Sequence, residues 1–273
     1  MDTRLELGVT RLGPRVFRRQ MEALARAGVR TLGSAELEAL LSGEEQRGAR
    51  PVDSPHPSHL TSHASSVVLT FDDAYAALAE HAFPVLADLG LTALVFVVTD
   101  YVGRDNDWDV HYGWRRFRHL SWDDLAHWQA RGIEVHSHGV THARLTWIGD
   151  VQAEDELGRS RAMITRRLGV SPAGIAYPFG AVDARVQALA GAAGYSLGFA
   201  GPAGRGGRQP DGAGRLALRR RPVYAWDVFA PPVVLRENAA GAFAMAVARL
   251  TNRFAVGTAL VQRLSGQRYT GRA

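Results

Sequence analysis

The middle of the chain alternates between segments with the pattern of a buried β-strand and segments with the pattern of an α-helix. Strands are predicted at residues 67–71, 92–98, 133–138 and 175–180, with the sequences VVLTF, TALVFVV, IEVHSH and IAYPFG. Helices are predicted at residues 74–90, 120–132, 150–169 and 183–194. Strands that alternate with helices form parallel sheets. The sequence therefore predicts an α/β fold with a parallel sheet, either open or closed into a barrel.

Two helices are predicted ahead of this alternation. Residues 15–28 carry apolar side chains at helical spacing, and Gly28 supplies the stop. A second helix is predicted over 34–43, with Ser34 as its N-cap. The following residues, 44–66, are polar and rich in proline and serine, so we predict a flexible surface loop there.

The chain therefore divides into four predicted segments. We expect a helical lead-in at 1–43, the flexible loop at 44–66, the main α/β domain at 67–230 and a helical extension at 231–273. The loop contains three irregularly spaced histidines, and we favour a solvated linker over a metal-binding tract for them: His56, His59 and His63.

Charge and composition exclude some classes of partner. All 32 basic residues are arginine, the formal net charge is +5, and the arginines are scattered rather than grouped along one element. A nucleic-acid partner is therefore not expected. Cysteine is absent, which excludes disulfides and thiolate metal sites. Oligomeric state is not readable from the sequence.

Two further patterns bear on location. The first twenty residues lack the basic and apolar regions of a secretory signal. The apolar stretch near the C-terminus is interrupted by Arg249, Asn252 and Arg253, so no transmembrane segment is predicted. We expect a cytoplasmic protein, with peripheral membrane association or an extracellular location by another route as alternatives.

Chemically versatile side chains follow three of the predicted strands. Asp72 and Asp73 end the first strand, the third delivers HSHGVTH at 136–142, and the fourth ends in a Pro-aromatic-Gly turn at 178–180. Because the carboxyl ends of parallel strands meet at one face, where active sites sit, we expect these groups to lie together.

One carboxylate and two imidazoles are a suitable set of ligands for a divalent metal ion. The second carboxylate could then act as a general base toward a metal-bound water. The alternative is that the aspartates cap the next helix and the histidines satisfy backbone groups. An isolated Asp-Asp pair would favour that alternative, but the presence of His138 and His142 at the neighbouring strand end favours the metal site.

Three motifs in this region resemble a known family. TFDD at 70–73, SHGVTH at 137–142 and AYPFG at 176–180 resemble the first three motifs of the polysaccharide deacetylases, which are carbohydrate esterase family 4 or NodB-like deacetylases. Their order and intervals match, and the resemblance extends over about residues 15–200. AYPFG is similar to the third motif of the AYPYG-type subgroup.

The resemblance implies a fold, a reaction and a cofactor. The family folds as a distorted (β/α) barrel and removes acetyl groups from N-acetylated polysaccharides or glycan intermediates, using a divalent metal. Zinc is the metal we expect first, with cobalt, nickel or manganese as alternatives. The family's first strand, with its Tyr-His element, has no counterpart upstream of residue 15, so we expect a barrel that is incomplete at the N-terminus or a sequence that starts late.

The resemblance also assigns roles by position. Asp72 corresponds to the catalytic base, and Asp73, His138 and His142 correspond to the metal ligands. The backbone N–H of Phe179, with the metal, is expected to stabilise the oxyanion formed when water attacks the acetyl carbonyl.

Several positions depart from the family pattern. Ala74 follows the aspartates where the family usually has glycine, a mild change if the backbone there stays at negative φ. Ala176 occupies the place of an arginine that orients the base in many members, and one of Arg219, Arg220 or Arg221 is a candidate to supply that charge instead.

The family's late histidine, the general acid, has no counterpart, because all ten histidines lie at or before His142. His136 shares a strand face with His138 and is a candidate acid, with a buried structural histidine as the favoured alternative. Two other functions therefore stay open. One is a related C–N hydrolase acting on a small amide, and the other is a degenerate, non-catalytic carbohydrate-binding member.

Overall fold

The computed structural model describes residues 12–48, 66–106, 117–201, 214–221 and 223. Its strands are β1 (Arg30–Thr31), β2 (Ser66–Val67), β3 (Thr70–Phe71), β4 (Ala93–Val97), β5 (Ile133–Ser137), β6 (Gly174–Ala176), β7 (Leu197–Ala200) and β8 (Leu218–Arg219). Its α-helices are α1 (Pro14–Arg26), α2 (Ser34–Gly48), α3 (Ala77–His81), α4 (Phe83–Asp88), α5 (Trp122–Gln129), α6 (Asp150–Leu168) and α7 (Ala184–Ala192).

Six strands form one parallel sheet in chain order, from β3 to β8. The sheet curls into a half-barrel, which confirms the predicted distorted (β/α) barrel class. Strands β1 and β2 form a separate parallel pair. Sequential order places the carboxyl ends of β3, β5 and β6 along the same rim, where the three motifs end.

Strand β4 shows how the sheet divides the core. All five of its residues are buried, as expected for a strand that is covered on both faces. Alternate residues point to opposite faces. Ala93, Val95 and Val97 pack toward α1, α4 and α5, whereas Leu94 and Phe96 pack on the concave face with residues of β6 and β7.

Helix α2 covers part of the concave face. Its Leu37 packs with Leu94 and Phe96, and the backbone N–H of Ser34 donates to Glu134 Oε2 on β5 at 2.9 Å. Ser34 is the first helical residue rather than the N-cap that was predicted. The helix also continues to Gly48, five residues into the segment predicted as a loop, because nothing in EEQRG breaks a helix before its final glycine.

Two predicted elements are each divided in the structure. The strand predicted at 67–71 becomes β2 and β3, which pair with different strands. The helix predicted at 74–90 becomes α3 and α4, with Pro84 in the first turn of α4. Proline lacks the N–H that would continue α3, so the second helix restarts there. Strands β1, β7 and β8 were not predicted.

The remaining segment predictions lie outside the described residues. These are the greater part of the 44–66 loop with its three histidines, and the helical extension at 231–273. Within the described part of the chain, no helix combines the length and the apolar character that crossing a membrane requires.

Candidate active site

The two aspartates of the first motif lie in a tight turn directly after β3. Asp73 and Ala74 both adopt the left-handed conformation, with φ of 64° and 53°. The N–H of Ala74 donates to the carbonyl oxygen of Asp72 at 2.9 Å, which closes the turn. Ala74 therefore does not keep the negative φ that would make its replacement of glycine mild, and its buried methyl group is held in a conformation unfavourable for alanine.

A neighbouring segment holds this turn in place. His119 Nδ1 lies 2.5 Å from the carbonyl oxygen of Asp73, and the N–H of Leu120 donates to the carbonyl oxygen of Ala74 at 2.8 Å. His119 is buried, and burial lowers its pKa to about 4. It lies outside the three motifs, so the sequence interpretation did not mark it. Its only sequence signal is its position just before the N-cap of α5.

The three predicted metal ligands lie together at the rim. His138 Nε2 and His142 Nε2 are each 3.6 Å from Asp73 Oδ1. Both separations exceed normal hydrogen-bond length. One ligand atom from each residue lies within 4.8 Å of the other two, and this is the one such group found among the described residues.

The chemistry of these three side chains fits a small divalent cation. Ligand atoms of zinc lie about 2 Å from the ion, so atoms with these separations can share one. His138 Nδ1 lies 2.7 Å from the carbonyl oxygen of Ala176, which can only accept a hydrogen bond. That contact leaves the lone pair on Nε2 directed toward Asp73, as in histidines that bind metal. Burial lowers the pKa of both His138 and His142, so the rings stay neutral and able to coordinate.

The second aspartate faces a cation supplied by the protein. Arg220, just after β8, donates from both terminal nitrogens to the two oxygens of Asp72, at 2.7 and 2.8 Å. Burial by itself raises the pKa of Asp72, but the charge and the hydrogen bonds of Arg220 outweigh it and hold the pKa well below the usual range. Of the three candidate arginines, Arg220 is the one that meets the carboxylate, and Arg219 and Arg221 are exposed.

Phe179 lies beside the ligand group. Its backbone is left-handed, with φ of 61°, and its ring centroid is 4.8 Å from that of His142. The Pro-Phe-Gly turn after β6 therefore holds the Phe179 ring against the second imidazole, from a backbone position that is unfavourable for a non-glycine residue.

His136 lies deeper in the half-barrel than the two imidazoles of the ligand group. Its Nε2 contacts Glu134 Oε2 at 3.1 Å, and its Nδ1 accepts from the N–H of Gly174 at 3.2 Å. Its ring also lies against Phe96. With both ring nitrogens engaged by β5 and β6, this geometry favours the structural alternative over the acid.

The sequence profile of the family described as polysaccharide deacetylase matches residues 59–198, more than half of the chain. This span contains all three motifs and the candidate metal ligands and base, whereas Arg220 lies outside it. The chain belongs to the polysaccharide deacetylase family.

A curated relative in this family is YxkH of Bacillus subtilis (strain 168), whose name places it among the polysaccharide deacetylases. It is 25% identical over 154 residues, which are 56% of this chain and 50% of YxkH. The chain spans about half the length of this curated relative.

Solved structures share the fold. PplD of Streptococcus pyogenes, a deacetylase solved in complex with acetate, superposes with a TM-score of 0.62 and 20% identity, covering 81% of this chain and 84% of PplD. IcaB from Ammonifex degensii gives a TM-score of 0.58 and 24% identity, covering 72% of this chain and 79% of IcaB.

Proposed function

We propose that this protein is a metal-dependent deacetylase that removes acetyl groups from an N-acetylated polysaccharide or glycan intermediate. Family membership supports the reaction class. The observation that carries the proposal is that two adjacent aspartates have different partners. Asp73 faces two neutral imidazoles, whereas its neighbour Asp72 is held ionised by Arg220.

Asp73, His138 and His142 are the residues that would hold the metal ion. A divalent cation there, which we expect to be zinc with cobalt, nickel or manganese as alternatives, would supply a Lewis acid for the acetyl carbonyl and lower the pKa of a water.

The roles of the other residues follow from their charge and position. Asp72 is ionised and is not needed as a metal ligand, because Asp73 fills that place. The carboxylate of Asp72 is therefore available to take a proton from the attacking water. Arg220 binds both carboxylate oxygens and so fixes the plane of the base. The N–H of Phe179 is our candidate donor to the developing oxyanion.

The test is metal analysis combined with acetate release from an N-acetylglucosamine oligomer. We expect about one divalent ion per chain and acetate release that requires it. Asp72→Asn should keep the metal and lower kcat by about 10²–10⁴-fold, the range for loss of a general base. Asp88→Asn, which changes an exposed carboxylate on α4, is the matched control and should leave both unchanged.

Three results would separate the proposal from its alternatives. Stoichiometric metal without turnover on any acetylated glycan, and with no effect of Asp72→Asn, would contradict a deacetylase. Binding of the oligomer under those conditions would support a non-catalytic carbohydrate-binding member. Hydrolysis of small amides with no acetate release from oligomers would support the small-amide hydrolase.

A further inference from the structure

The loop that carries both candidate imidazole ligands is hydrogen-bonded on one side to helix α6. The loop runs from His138 to His142, and Gly139 and His142 are left-handed, with φ of 84° and 63°. This tight path brings two side chains four positions apart toward the same carboxylate. Any change in the path would change the separation of their Nε2 atoms.

The buried carboxylate of Glu156 accepts three hydrogen bonds from the centre of this loop. Oε2 accepts from the N–H groups of Val140 at 2.7 Å and Thr141 at 3.0 Å. Oε1 accepts from the hydroxyl of Thr141 at 2.6 Å. Glu156 is only 2% exposed, so these donors take the place of water as the hydrogen-bond partners of its carboxyl oxygens.

Ser160, one turn further along α6, also contacts the start of this loop through Ser137. The hydroxyl of Ser137 donates to Ser160 Oγ at 2.8 Å and accepts from the N–H of Gly139 at 3.1 Å. The loop amides at 140 and 141 are therefore met by Glu156 of α6. The amide at 139 is met by Ser137 of β5, whose hydroxyl is itself hydrogen-bonded to α6. On the other edge of the loop, the carbonyl oxygens of Gly139 and Val140 accept from the N–H groups of Thr99 and Asp100, at 3.1 and 3.0 Å.

Gly139 is required by this arrangement. A Cβ at this position would lie 2.9 Å from Glu156 Oε2, and the positive φ is unfavourable for other residues. The glycine thus permits both the turn and the close approach of the carboxylate. Buried acids are rare unless they are paired or fully hydrogen-bonded. Here all three of the donors to Glu156 described above belong to the ligand loop.

We propose that Glu156 is a positioning residue for the candidate metal centre, which sets the separation of the His138 and His142 imidazoles through the loop between them. The inference rests on the proposed function for the presence of a cation. Glu156 does not itself belong to the ligand group.

The experiment measures Co²⁺ affinity by calorimetry, together with the visible absorption of the bound ion, which reports the arrangement of its ligands. Glu156→Met, which removes the acceptors at similar volume, should weaken Co²⁺ binding by about 10–100-fold and change the spectrum. Glu156→Gln keeps a carbonyl acceptor for the two amides and should restore affinity to within a few-fold of the wild type. Thr141→Val removes one of the three hydrogen bonds and should give an intermediate, smaller loss.

Ile164→Ala is the matched control, because Ile164 is buried on the same helix two turns further on and is not among the residues that hydrogen-bond the loop. It should lower thermal stability while Co²⁺ affinity and spectrum stay unchanged. Wild-type affinity in both Glu156→Met and Thr141→Val would overturn the inference. So would an equal loss of affinity in Ile164→Ala, since general loosening of α6 would then explain the effect.

Hydrogen exchange in the cation-free protein separates this inference from the proposed function. The amides of Val140 and Thr141 should exchange faster in Glu156→Met than in the wild type, and not in Ile164→Ala. Unchanged exchange would overturn the role of Glu156 whether or not a cation binds. Failure of the wild type to bind any divalent ion would instead contradict the proposed function.

Discussion

At the scale of single residues, the turn after β3 gives two adjacent aspartates different environments. Asp73 meets His138 and His142, whereas Asp72 meets Arg220. The arginines at 219, 220 and 221 are consecutive, at the end of β8 and just after it. Because side chains alternate along an extended chain, only the middle one, Arg220, points inward. The base and its cation come from positions 148 residues apart in the chain.

The first prediction concerns this pair. Arg220→Met should lower kcat by about 10–100-fold, because loss of a side chain that orients a reacting group typically has an effect of this size. Metal content should be retained, since Arg220 makes its bidentate contact with Asp72 and not with the ligand group. Steady-state kinetics with metal analysis provides the measurement.

The neighbouring arginines supply the controls. Arg219→Met and Arg221→Met change exposed side chains of the same type and should leave kcat within about two-fold, as expected for surface positions. Equal losses in all three variants would mean that local charge, rather than the contact with Asp72, matters.

At the scale of elements, β5 serves both the rim and the interior. Its alternate positions carry Glu134, His136 and, just beyond the strand, His138. Glu134 accepts from the first amide of α2 and from His136, so it ties the strand to the helix that covers the concave face. One face of β5 therefore both holds helix α2, through Glu134, and supplies a candidate metal ligand, His138, at the rim.

The second prediction follows from Glu134. Burial by itself raises its pKa, but hydrogen bonds with His136 and Ser34 outweigh it and lower the pKa to about 2, from an ordinary value of 4.5. A lowered folded-state pKa stabilises the protein above the unfolded pKa, and that contribution is lost as pH falls through the folded value. The stability difference between wild type and Glu134→Gln should therefore be largest above pH 4.5 and shrink toward pH 2.

Urea unfolding at a series of pH values from 7 downward would measure this. Glu154→Gln, on the exposed face of α6, is the control and should give a difference close to zero throughout. A Glu134 difference that stayed constant with pH would contradict the assigned hydrogen bonds.

At the scale of the whole molecule, the fold has cores that do not depend on the candidate metal centre. One hydrophobic cluster lies between the sheet and α1, α4 and α5, a second lies under α6 and α7, and a third fills the concave face. The ligand group lies at the rim, beyond the strand ends. Removing a cation should therefore change stability without abolishing the fold.

The third prediction is the response to chelation. After metal removal, the far-ultraviolet circular dichroism should be unchanged, while the thermal midpoint should fall. Added Zn²⁺ should raise the midpoint with the logarithm of its concentration once this exceeds Kd, equivalent to about 2.7 kcal/mol at 100 times Kd. Asp73→Asn should not show this response. Complete unfolding on chelation would contradict a metal site that is separate from the cores.

Local sequence determined the elements and their chemistry. Apolar runs, apolar side chains at helical spacing and glycine stop signals predicted β4, β5, α6 and α7, because these elements have side chains on one or both faces that must be buried. Polar residues at strand ends predicted that a carboxylate and two imidazoles would lie together, since parallel strands end at one rim. The family resemblance then pointed to Asp73, His138 and His142, which do lie together. The two-residue strands β1 and β8 were missed because so short a segment carries no periodic pattern.

Only the tertiary structure decided which distant groups meet. It selected Arg220 over its neighbours, gave His136 partners on β5 and β6, and showed Glu156 beneath the ligand loop. These contacts depend on the curl of the sheet and on the rotation of α6 against it, which local periodicity does not specify. A sequence can therefore determine that a carboxylate lies on a buried helical face, while the packing of that face decides which backbone amides it holds.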